Sequence, residues 1–181
     1  MFKYRLYCII QSKNIAKTMN LFEHISRNGL TFNHLDENNF TIYNSLKQKV
    51  YTYAYFQDYK YSVAIWENYI SPEEIKEIYV YVGKYTILNN QHIYGMVNDL
   101  RYVDGSFAPI NDWFKGNYVL KAIERGFAFS ANIVPEEFFA RLSLEDLNDN
   151  APYEICNFED YESAKTWLLE KLSNYHFEKK A

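Results

Sequence analysis

The stretch IYGMVNDLRYVDGSFAPINDWF, residues 93–114, decides how this chain folds. Ile93, Tyr94, Met96 and Val97 make an apolar run with the character of a strand. A polar cluster of Asn98, Asp99, Arg101, Asp104 and Ser106 follows, and Pro109 then opens a segment with helical spacing. Strand, polar loop and helix N-terminus in that order are where an α/β fold places a site.

Upstream, Val50–Phe56 alternates, with Tyr51, Tyr53 and Tyr55 on one face and Val50, Thr52, Ala54 and Phe56 on the other. Residues 57–60 read as a turn into a second strand, Tyr61–Glu67, so the two form an antiparallel hairpin. Ser71-Pro72-Glu73-Glu74 then starts a helix. The serine caps it, the proline takes the first helical position with its φ already set, and Glu74 closes a capping box. Ile75, Ile78, Tyr79, Val82 and Tyr85 point inward, and Asn89-Asn90 ends the helix. Strand, helix and strand at this spacing predict a right-handed crossover, with the strand at 92–100 parallel to the one at 61–67.

Downstream, the helix opened by Pro109 carries Ile110, Trp113, Phe114, Val119, Ala122 and Ile123 inward and stops at Gly126. Gly116 within it costs about 1 kcal/mol relative to alanine, which predicts a close packing contact there. A strand at Phe127–Val134, a proline-plus-acid helix opening at Pro135–Glu137 and a helical turn at Ser143–Asp146 come next. A short strand at Tyr153–Asn157 and an Asp160-capped helix with Ala164, Trp167, Leu168 and Leu172 complete the order. The expected class is α/β: a mixed sheet of an antiparallel hairpin plus parallel strands, with helices packed on it.

The first part of the chain reads as an extension. A strand at Phe2–Ile10 precedes a helix capped by Asn14, with Ile15, Met19, Phe22 and Ile25 on one face and a stop at Asn28-Gly29. Residues 33–39 are polar and turn-prone and read as a linker. The expected division is therefore an N-terminal extension over 1–39 and an α/β domain over 40–181.

Composition narrows the function. The chain has 181 residues, 48% of them hydrophobic and 23% charged, enough for one domain with a sizeable core. Its 18 tyrosines stand out. Tyrosine is amphipathic, and much of it is expected at the core edge with the hydroxyl in water, either for strand propensity alone or to form an interface or ligand-lined face. A net charge of −4 without a basic run argues against nucleic acid as a partner. Cys8 and Cys156 have no metal-ligand spacing and read as reduced thiols of a cytoplasmic protein. The apolar start, interrupted by Lys3 and Arg5, is too short for a membrane span, so no membrane insertion is expected. His24, His34, His92 and His176 are scattered, and no nucleophile elbow, phosphate-cradling loop or dinucleotide fingerprint occurs. Glu73/Glu74 and Glu136/Glu137 are consecutive helical residues about 100° apart and serve to open helices. No cofactor, no metal and no enzyme activity are expected.

Trp66, the SPEE start at Ser71–Glu74, VNDLRYVDGSFAPINDWF at Val97–Phe114, KAIERG at Lys121–Gly126, VPEEFF at Val134–Phe139 and FEDYESAKTWL at Phe158–Leu168 occur in that order. With them, the segment from Val50 to Leu172 resembles the SpoIIAA-like branch of the STAS superfamily, whose fold is related to that of a lipid-binding domain. The resemblance implies a regulatory domain that acts through a protein partner, switched by phosphorylation of a serine at a strand-to-helix turn. The comparable turn here holds Asp104-Gly105-Ser106, with Ser106 three residues before Pro109 rather than directly at the helix start. Ser106 is thus the candidate phospho-acceptor. Asp99, Arg101, Asp104, Ser106, Asp112 and Trp113 are the candidate partner-binding residues, for another protein or for a second copy of the chain.

Each has a plainer role as well. Arg101 can pair with a nearby carboxylate and pin the loop, Ser106 can be a turn residue, and Asp112 suits a helix N-terminus for the dipole alone. The alternative function is a carrier or sensor of a small apolar or lipidic ligand bound by the aromatic-rich face.

Overall fold

The computed structural model of the chain describes residues 29–104, 107–134 and 151–175. Among these residues seven strands form one sheet in sequential order: β1 (Thr31–His34), β2 (Asn39–Tyr43), β3 (Lys49–Phe56), β4 (Tyr61–Tyr69), β5 (Gly95–Asp104), β6 (Phe129–Ile133) and β7 (Glu154–Phe158). From β1 to β4 neighbours run antiparallel, and from β4 to β7 they run parallel. The class read from sequence, an α/β mixed sheet, holds. The strand expected at 92–100 lies slightly later, in β5, and pairs in parallel with β4 as predicted.

Residues 33–39 are not a linker. They finish β1, turn and enter β2, and Asp36 accepts from the Asn38 backbone at 2.7 Å and from the Asn39 amide at 2.8 Å. Short polar residues suit a hairpin turn as well as a linker, and the pairing partner across the turn decides between them. The division placed between residues 39 and 40 falls inside β2. The strand and helix expected before Gly29, the helical segments expected over 135–146 and Ser106 all lie outside the described residues.

Helix α1 (Pro72–Leu88) begins on the full capping box: the Ser71 backbone N–H donates to Glu74 Oε2 at 2.9 Å, and the Glu74 N–H donates back to Ser71 Oγ at 3.3 Å. Helix α2 is the run 108–124. It opens with a 3-10 turn at Ala108–Ile110 and one α-helical turn at Asn111–Trp113, widens to a π-helix at Phe114–Val119 and returns to α at Leu120–Glu124. Helix α3 (Tyr161–Asn174) is capped by Asp160, which accepts from the Ser163 N–H at 2.9 Å.

Two cores lie on the two faces of the sheet. On one, Tyr51, Tyr53, Ala64, Trp66 and Leu100 meet Ile75, Ile78, Tyr79 and Val82 of α1 and Phe114 and Val119 of α2. On the other, Val63, Val97, Phe129, Ala131 and Ile133 meet Ala164, Leu168 and Leu172 of α3.

Tyr79 and Tyr85 face inward as read from sequence, but the tyrosine hydroxyls expected in water at the core edge are largely withdrawn from it. Tyr51, Tyr53, Tyr79, Tyr81 and Tyr85 are buried, and their burial drives their phenol pKa values upward. Protein acceptors replace water for several hydroxyls. Tyr53 donates to Gln91 Oε1 at 2.8 Å, Tyr55 to the His92 carbonyl at 3.1 Å and Tyr85 to the Glu37 carbonyl at 2.8 Å. Gln91 Nε2 donates to the same Glu37 carbonyl at 3.0 Å. This network ties the β1–β2 turn to the end of α1.

Candidate functional site

The residues singled out in sequence divide between the two faces. Asp99 stands in phase with Val97 on β5 and so points to the α3 side, and Arg101, at the shift in the β4–β5 register, reaches it from there. Asp99 is 4% exposed, and its carboxylate accepts two hydrogen bonds from the Arg101 guanidinium, from Nε at 3.0 Å and Nη2 at 2.9 Å. The fork satisfies both groups, so this pair pins the end of β5. The positive charge of Arg101 also contributes to holding the Asp160 carboxyl below its ordinary range, after the larger effect of the Ser163 hydrogen bonds. Asp104 and Asp112 are exposed. Trp113 sits on the opposite side of the sheet and lines a cleft.

That cleft, about 430 Å³, lies between α1 and α2. Tyr79, Val82, Gly83 and Thr86 form the α1 wall, and Trp113, Phe114, Tyr118 and Val119 form the α2 wall. Ser62 and Met96 come from the sheet, and Ile93, Phe127 and Tyr153 add to the apolar lining. Its volume falls in the range of roughly 300–1,000 Å³ typical of small-molecule sites, and the lining has their mix of many apolar and few polar groups.

The π-helix shapes one wall. Phe114 and Tyr118 stack at 5.5 Å, and both pack against Tyr79, at 4.7 and 4.8 Å. Asn117 Nδ2 donates to the Trp113 carbonyl one turn back at 3.2 Å. Such insertions in α-helices are frequent at functional sites. Glycine supplies the room opposite: a Cβ on Gly83 would stand 3.5 Å from the Tyr118 ring, ordinary contact and no more. The close contact expected at Gly116 is absent, because a Cβ there would meet nothing within 4 Å. The helix gives up propensity at Gly116 without gaining a packing partner.

Compared with protein-family models, with curated proteins and with solved structures, the chain matches none.

Arg125, the residue that follows α2, also lines the cleft. Its Nη1 donates to Thr86 Oγ1 at 3.0 Å and its Nη2 to the Gln91 carbonyl at 3.1 Å. Burial pushes the Tyr118 phenol up to about 12, and the charge of Arg125 opposes that rise. Val80 and Ile87 form an apolar rim, 42% and 60% exposed. Sequence reasoning missed Arg125, Gln91 and Gly83. Arg125 read as part of the KAIERG stretch that ends a helix, and nothing in the local pattern of the three marks them as neighbours.

Proposed function

We propose that the chain is a non-enzymatic binding protein that holds a small, largely apolar ligand in the cleft between α1 and α2. The observation that carries this reading is an open cleft walled by Tyr79, Phe114, Tyr118 and Trp113, with a few polar groups, Ser62, Thr86, Gln91 and Arg125 among them, in its lining. An ordinary packed interface between two helices would close such a space, since interiors reach the density of organic crystals. The resemblance to STAS-like domains supports a regulatory, cytoplasmic role, and in this reading ligand occupancy is the signal. The aromatic-rich face serves as the alternative drawn from sequence requires, although the tyrosines of β3 support the wall from behind and do not line it.

A neutral apolar dye such as Nile red tests the reading. Its emission is expected to rise and shift to the blue on addition of the protein, and Gly83→Leu, which fills the cleft, is expected to abolish the change while the far-ultraviolet spectrum stays the same. Equal dye uptake by both proteins would overturn the reading.

A second reading has one observation behind it. Tyr69 and Tyr102, on neighbouring strands, are 59% and 53% exposed beside the acidic Asp104. Exposed aromatics of this kind suit a protein partner or a second copy of the chain. Sedimentation velocity tests the second-copy version: the native chain is expected to sediment as a dimer and Tyr102→Glu as a monomer.

A further inference from the structure

We propose that the ligand of the α1–α2 cleft carries an anionic head, a carboxylate or phosphate, at its outer end; this rests on the ligand reading above. Among the described residues the cleft is lined by three cations, Lys84, Lys121 and Arg125, and by no aspartate or glutamate. The chain as a whole holds 23 acidic against 19 basic residues, so the lining runs opposite to the overall charge. Among the described residues the ion pairs are Lys49–Glu67, Asp99–Arg101 and Glu154–Lys171, all away from the cleft. The acceptors that hold Arg125, Thr86 Oγ1 and the Gln91 carbonyl, are neutral. They orient the guanidinium without cancelling its charge, and its remaining N–H groups suit the oxygens of a carboxylate or phosphate.

The distribution also sets the ligand's direction. Lys84, Lys121 and Arg125 are exposed, whereas Tyr79 and Phe114 are buried. An apolar tail therefore enters between the aromatic walls, and the head stays at the cationic mouth. A neutral apolar molecule would leave that mouth unused, and a cation would meet like charge there.

Isothermal titration of the full chain with decanoate, decyl phosphate and decan-1-ol, each below its micellar range, tests the proposal. Both anions are expected to bind at least about tenfold more tightly than the alcohol. The gap should narrow to about twofold on raising the salt, because the mouth is exposed to screening. Lys84→Gln combined with Lys121→Gln should narrow it in the same way; both side chains are exposed, so the fold is kept. A preference for decanoate identifies a fatty-acid type of head and a preference for decyl phosphate a lipid-phosphate type; either supports the proposal. Equal affinity for all three ligands, with Gly83→Leu still blocking them, overturns the anionic head and leaves the cleft reading intact. No binding of any of them, to the native chain or to Gly83→Leu, overturns both.

Discussion

The two faces of the sheet carry helices in opposite ways. On the α3 face a Cβ added to Gly95 would stand 2.6 Å from Leu168 Cδ1, with the Phe129 carbonyl at 3.4 Å, so helix and sheet are in full contact. On the other face Gly83 keeps ordinary distance from Tyr118, and α1 and α2 leave a cleft of about 430 Å³. The side chains explain much of the contrast. The buried core on the α3 face is mostly aliphatic, with Val63, Val97, Ala131, Ile133, Ala164, Leu168 and Leu172 beside Tyr61 and Phe129. The α1–α2 face is aromatic, and large rigid rings with hydroxyls pack by edges and stacks that leave gaps where they diverge.

The contrast breaks most readily at Leu168. Leu168→Ala should destabilise the protein by about 2–5 kcal/mol in urea unfolding, because the closed face cannot collapse around the void. Ile87→Ala on the cleft rim should change stability by less than about 0.5 kcal/mol. Comparable losses at the two sites would mean that the faces are equally packed. The glycines sharpen the point through opposite signs. Gly95→Ala should cost about 1–3 kcal/mol by overpacking against Leu168. Gly83→Ala should raise stability by up to about 1 kcal/mol, since α1 gains helix propensity and the cleft accepts a methyl.

The smallest effect concerns acid, and it belongs to the aromatic face alone. His34 lies against Phe40 and Tyr85, with its Nε2 2.6 Å from the Tyr81 hydroxyl, and burial lowers its pKa from 6.5 to about 4. Between those two values the unfolded chain binds more protons than the folded one, so stability falls as pH drops through the window. The contribution is complete above pH 6.5 and gone below about 4. The slope is modest, as His34 is only half buried. His34→Gln should flatten the unfolding midpoint against pH in this range, and an unchanged slope would show that His34 is not its source.

The signals legible in sequence were local ones. The capping box at Ser71–Glu74, the alternation of β3 and the Asp160 cap each rest on bonds or periods spanning a few residues, and each appears where it was read. Tertiary contacts decided whether 33–39 was a linker or a hairpin turn, because the answer is the strand across the turn. They also decided the fate of the tyrosines: Tyr53 is buried because Gln91 waits for its hydroxyl, thirty-eight positions away.

The candidate site divides along the same line. That Arg101 pairs with a carboxylate was readable from its proximity to Asp99 in sequence, and the fork between them bears it out. Which face each residue takes was not used in grouping them, and alternation along β5 sends Asp99, and Arg101 bonded to it, away from Trp113. By itself, then, the sequence determined the class of fold, the helix starts and most strand positions, since propensity, capping and hydrophobic period act over short spans. The tertiary structure alone decided where space is left. A cleft is the difference between two packed surfaces, and Gly83, Tyr118 and Arg125 meet around one only after the sheet has brought α1 and α2 together.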